Sequence, residues 1–81
     1  MLVFSQDRDC IVIDPVGFKA RTKDASFNKE EKRLHKDYII FAYDVHGEIY
    51  KMAEFDSPKS AADTLEKVFN ALENGEKSFR F

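Results

Sequence analysis

The chain has 81 residues, 43% of them hydrophobic and 35% charged, with three Gly, two Pro, one Cys and a formal net charge of −2. That length fits one domain over residues 1–81 and leaves no room for a second domain or a deep cofactor cleft, while the composition is that of a folded chain rather than a disordered or fibrous one. A lone Cys10 excludes an internal disulfide and a cysteine-based zinc site within one chain.

The first apolar run, Leu2 to Phe4, and a second rich in β-branched residues, Cys10 to Ile13, flank the polar SQDRD. This pattern predicts a hairpin with strands over about 2–5 and 10–14. Pro15 and Gly17 punctuate, and VGFKARTK then alternates, with Val16, Phe18, Ala20 and Thr22 on one face and Lys19, Arg21 and Lys23 on the other. A period of two predicts a strand over 16–23 with one wet, basic face. From Asp24 to Asp37 the pattern lapses and eight of fourteen residues are charged, which predicts a charged loop. YIIFAYDV is apolar on both faces and predicts a central strand over 38–45, covered on both sides, by the core and by a second layer. His46 and Gly47 supply a tight turn, and the next strand runs over 48–55.

Ser57 followed by Pro58 marks a helix start, and Gly75 a stop, so a helix is expected over about 58–74. Ala61, Leu65, Val68, Phe69 and Leu72 share its apolar face, and Leu65→Asp or Phe69→Asp is expected to unfold the domain. The tail 76–81 carries Phe79 and Phe81 and adds an edge strand or docks in a partner. The expected fold class is therefore α+β: a small antiparallel, meander-like sheet of about four to five strands with one C-terminal amphipathic helix packed on one face.

Charge is unevenly spread. Between Val16 and Asp37 seven basic residues face four acids, a balance of +3, against −5 for the remainder. Lys19, Arg21 and Lys23 alternate onto one side of a strand and lead into Lys29, Lys32, Arg33 and Lys36; this stripe is the expected partner-binding surface. A solvated edge that discourages aggregation is the competing explanation, and phosphate contact a third.

Chemistry is expected nowhere. Asp7, Asp9 and Asp14 surround Cys10, but Asp is a preferred turn former and the spacing lacks the ligand series of a calcium loop. Cys10 beside Ile11 has the setting of a small buried hydrophobe, and His35 and His46 have no spacing that suggests a shared metal. The tyrosines and phenylalanines sit in apolar strands, where core packing outweighs base stacking. No cofactor, metal or enzymatic activity is expected. A homodimer through Tyr38, Ile40 and Ala42 or through Phe79 and Phe81 is one option for a partner; an unidentified protein or, ranked lower, a nucleic acid are the others. The uncharged run Tyr38 to Tyr43 falls far short of the roughly 20 residues of a membrane span, and no signal peptide precedes the first charges, so a cytoplasmic location is expected.

Three stretches, FSQDRDCIVI, GEIYKMAEFDS and AADTLEKVFNALENGEKSF, together resemble a family of short uncharacterised proteins from Gram-positive bacteria and their phages and prophages. The family pattern is an opening strand, an SQD-like turn, an Ile-rich second strand, a Gly-turn strand ending in an acidic and aromatic pair, and a C-terminal helix. The resemblance omits the segment from Asp24 to Asp37. It implies a small antiparallel sheet with one packed helix and a mobile-element context, carries no catalytic residue across, and favours a binding role.

Overall fold

A computed structural model describes the backbone of residues 1–28 and 33–81 and the side chains of 1–22 and 37–81. The elements in chain order are β1 (Leu2–Phe4), β2 (Ile11–Ile13), β3 (Gly17–Asn28), β4 (Arg33–Tyr43), β5 (Ile49–Phe55), α1 (Pro58–Glu73) and β6 (Ser78–Arg80). The fold is a small α+β one, as expected, but its strands form two three-stranded sheets, ordered β2-β1-β6 and β3-β4-β5, rather than one meander. The tail becomes β6, which pairs with β1 in parallel, Val3 beside Phe79. A parallel pair requires a long connection, and here all the elements from β2 to α1 lie between the two strands, α1 leading into β6.

The opening hairpin forms as the sequence predicts, with Val3 opposite Val12. Alternation divides its residues. Val3 and Val12 turn inward and are buried, whereas Leu2, Ile11 and Ile13 turn outward, Ile13 remaining 69% exposed. Asp14 takes a left-handed φ of 48° and ends β2, donating its N–H to the Met1 carbonyl at 2.8 Å.

The segment 24–37 departs from expectation. Asp24–Asn28 continue β3 and Arg33–Asp37 begin β4, with Lys23 opposite Asp37 and Asp24 opposite Lys36. Opposite charges placed directly across a ladder favour strand pairing by about 0.2–1 kcal/mol each. β5 accompanies β4 only as far as Tyr38, so beyond it β3 and β4 run on as a two-stranded ribbon. Among the described residues no third strand pairs with the ribbon, so its sequence needs no alternating apolar pattern and reads as a loop.

The core lies between three layers: Val3 and Val12 from the first sheet, Phe18, Ile40, Ala42 and Met52 from one face of the second, and Val68 from α1. Phe79 and Phe81 pack against it, the Phe81 ring centroid 6.0 Å from that of Phe18. The expected second layer over β4 is absent among the described residues. Ile39 is buried on the far face of β4 yet stands apart from this cluster. The register instead sets Arg21 and Glu54 on either side of it, where long side chains cover apolar surface with their stems.

The helix caps are those the sequence marks. Ser57 Oγ accepts the Ser60 N–H at 3.1 Å, and Pro58 opens the first turn. At the other end Gly75 takes φ 67°, its N–H reaching the Leu72 carbonyl at 3.1 Å while Glu76 reaches Ala71 at 3.0 Å, a Schellman arrangement. The buried face is rotated from the expected one, to Ala61, Val68 and Ala71. Phe69 is 44% exposed and touches the core at its margin, edge-on to Phe18 at 6.4 Å. Ala61 and Ala71 are buried at the contact, while the larger Phe69 and Leu72 stand at its margin, 44% and 40% exposed.

Candidate functional site

The outer face of the second sheet, away from α1, gathers side chains from three strands. In its central rung Phe41 lies between Lys19 on β3 and Lys51 on β5; in the next, Ile39 lies between Arg21 and Glu54; on the other side Tyr43 lies between Gly17 and Ile49. A β-bulge makes this arrangement possible. Ile40 pairs with Ala53 and Phe41 with Lys51, so Met52 is the extra residue. Lys51 and Glu54, an odd number of positions apart, thereby share one face and form an ion pair of 2.6 Å. The Glu54 carboxylate, accepting from the ammonium, holds the Lys51 pKa above its ordinary value.

Gln6 stabilises the bulge. Its N–H donates to the Met52 carbonyl at 2.7 Å, and its Oε1 accepts the Glu54 N–H at 3.1 Å. One residue, through its backbone N–H and its side chain, thus satisfies backbone groups that an edge strand would otherwise offer to a neighbour. The β5 edge is covered here by the opening turn. β3, the opposite edge of the sheet, pairs with β4 alone among the described residues.

At the start of β3 the Tyr43 ring lies over Gly17, where a Cβ would collide with the phenol at Oη and Cζ. Glycine is needed here for close approach, not for its φ. The same ring meets the Lys19 ammonium, 5.9 Å from its centroid, within cation–π range.

The stripe predicted from sequence is therefore partly brought together. Lys19 and Arg21 are on the outer face, Lys19 half-buried and Arg21 exposed. Lys23, Arg33 and Lys36 lie in the strands of the ribbon by backbone position, Lys23 and Lys36 each opposite an aspartate. Lys29 and Lys32 lie outside the described residues. Sequence reasoning missed Phe41, Tyr43 and Lys51. The turn at His46 and Gly47 carried the signal, because folding the chain back there aligns Ile49 with Tyr43 and Lys51 with Phe41.

Of the residues expected at a homodimer contact, Ile40 and Ala42 are corrected, being buried, while Tyr38, Phe79 and Phe81 keep partly exposed surface. Ile40 and Ala42 are 0% exposed, closed off beneath the core layers, and Phe79 and Phe81 are half-buried against that core with ring centroids 5.0 Å apart. Tyr38 is half-buried.

The acidic turn is held from within. Ser5 is 0% exposed; its Oγ accepts the Cys10 N–H at 3.1 Å and lies 3.1 and 3.0 Å from one oxygen each of Asp7 and Asp9. Hydrogen bonding with the Asp9 carboxyl, then with Ser5, lowers the Asp7 pKa. Burial, followed by the charges of Asp9 and Asp7, pushes the Cys10 thiol up, away from a nucleophilic thiolate. Asp7 and Asp9 line a shallow cleft of ≈ 310 Å³ with Gln6, Lys51, Met52 and Glu54. Among the described residues no group of three or more His, Cys, Asp or Glu side chains is placed to hold a metal ion.

At the far turn, Asp44 Oδ1 accepts the N–H groups of His46 at 2.9 Å and Glu48 at 3.0 Å. The Tyr50 hydroxyl lies 2.9 Å from Glu48 Oε2 and 3.0 Å from Asp44 Oδ2. Those acceptors, Glu48 first, favour the protonated phenol and push its pKa up to about 12. Partial desolvation works to raise Asp44, but the hydrogen bonds from Tyr50, Glu48 and His46 outweigh it and lower its pKa. This is turn architecture.

No helix among the described residues is long and apolar enough to cross a membrane. Comparison with protein-family models, with curated proteins and with solved structures finds no match to this chain.

Proposed function

We propose that the protein is a non-enzymatic protein-interaction module, phage- or prophage-associated and cytoplasmic, that meets a protein partner through the outer face of β3, β4 and β5. The observation that carries this reading is the pair of rungs Lys19–Phe41–Lys51 and Arg21–Ile39–Glu54, where half-buried Phe41 and buried Ile39 of a central strand are bordered by charged residues, Arg21 and Lys51 exposed and Lys19 and Glu54 half-buried. A central apolar and aromatic strip with an Arg-bearing polar rim is the composition of protein-binding surfaces. A non-enzymatic role is supported by the raised Cys10 thiol and by Asp7 and Asp9 being engaged with Ser5. The mobile-element context rests on the resemblance of the three stretches named above.

The test is affinity capture from a Gram-positive lysate with the wild-type chain, with Lys19→Glu/Arg21→Glu, and with Ile13→Lys on the other sheet. Capture should vanish in the first variant and persist in the second. Unchanged capture by the charge-reversed chain would remove the assignment.

One observation favours a second reading. Phe41 and Tyr43 lie beside Lys19, and basic residues bordering aromatic ones suit single-stranded nucleic acid. A gel shift at low salt without retardation of single-stranded DNA or RNA would exclude it.

A further inference from the structure

Resting on that reading, we infer that the partner element is an acidic segment in extended conformation, added as a fourth strand to the β3 edge with carboxylates at every second residue. The placement of the two edges favours this occupant. The β5 edge is engaged by Gln6, whereas β3 has a strand on one side only among the described residues. An unpaired edge offers main-chain donors and acceptors to an incoming strand, and specificity then comes from alternate side chains.

Charge decides between occupants. Lys19, Arg21 and Lys23 alternate along β3, so their backbone positions share one face. A second copy paired antiparallel about a two-fold axis, with both outer faces on one side, would bring these basic positions opposite one another. Like charges directly opposite are destabilising. A strand bearing Glu or Asp at alternate positions reverses the sign at every rung. The same basic residues that oppose self-association therefore select an acidic guest. The positions between them suit close approach, since Ala20 and Thr22 are small and exposed.

The experiment uses the full chain and three synthetic peptides alternating Glu and Thr: one unmodified, and two N-methylated on one or the other alternate set of backbone nitrogens. Affinity is read by calorimetry and location by amide chemical shifts. A paired strand directs only every second N–H at its neighbour. One methylated peptide should therefore bind as the unmodified one does, and the other about tenfold or more weakly, with the largest shifts in Lys19, Ala20 and Arg21. Equal binding by all three would overturn edge pairing while leaving the outer-face reading intact. Absence of peptide binding, with lysate capture still dependent on Lys19 and Arg21, would overturn the inference alone; loss of that dependence as well would overturn both. Binding of a single-stranded oligonucleotide in place of the peptides would also overturn it.

Discussion

At the scale of single residues, the opening turn is held by groups whose importance their exposure would not suggest. Ser5 receives the Cys10 N–H, so Ser5→Ala leaves that donor unpaired and should destabilise by about 1–3 kcal/mol in chemical denaturation. Gly17→Ala should leave the fold in place but displace the Tyr43 ring from β3, moving the ring resonances of Tyr43 and separating it from Lys19. Tyr50 gives a pH signature. Its folded pKa is raised from 10.0 to about 12, so the stabilisation it shares with Glu48 and Asp44 is full below pH 10.0 and is lost as pH rises through about 12. Asp44 acts in the opposite sense, being lowered from 3.8, and its contribution is lost as pH falls below that value. Thermal unfolding followed across pH should show the alkaline loss in the wild type and a weaker one in Tyr50→Phe. The aspartates that give SQDRD its acidic character were legible as turn formers, because Asp is chosen in turns for local hydrogen bonding. The role of Gln6 was not, since its partners lie on a strand 46 or more positions away and only the bulge at Met52 creates them.

At the scale of elements, the helix shows what periodicity can and cannot place. Its bounds follow from Ser57, Pro58 and Gly75, all local signals. Its buried face is set by the surface it meets, and Ala61, Val68 and Ala71 make that contact in preference to the bulkier Phe69 and Leu72. Val68→Asp should therefore unfold the domain, whereas Leu72→Gln should fall within about 0.5 kcal/mol of wild type by denaturant melts. Phe69→Asp should destabilise less than Val68→Asp, contrary to the expectation from periodicity alone, because Phe69 is 44% exposed. On β4, Ile40→Ala should cost about 2–5 kcal/mol, a large part of the stability of so small a domain. The parallel pairing of β6 with β1 was not legible, because a three-residue strand carries too little pattern to name its neighbour. The extension of β3 and β4 past Thr22 and Tyr38 was not legible for a different reason: the stretch lacks apolar alternation, and its register sets Lys23 opposite Asp37 and Asp24 opposite Lys36.

At the scale of the whole molecule, the charge asymmetry read from sequence becomes a spatial one. The basic residues of β3 lie at one edge of the second sheet, and the acidic opening turn lies against the other. The apolar outward positions Leu2, Ile11 and Ile13 belong to the first sheet and take no part in the proposed contact. The central claim, that the partner meets β3 and the outer face of its sheet, is tested most directly by amide hydrogen exchange of the full chain with and without the captured partner. The account predicts slowed exchange in Lys19, Ala20, Arg21 and Thr22 with β1 and β2 unchanged. Protection confined to residues 2–13, with β3 exchanging as in the free chain, would contradict it.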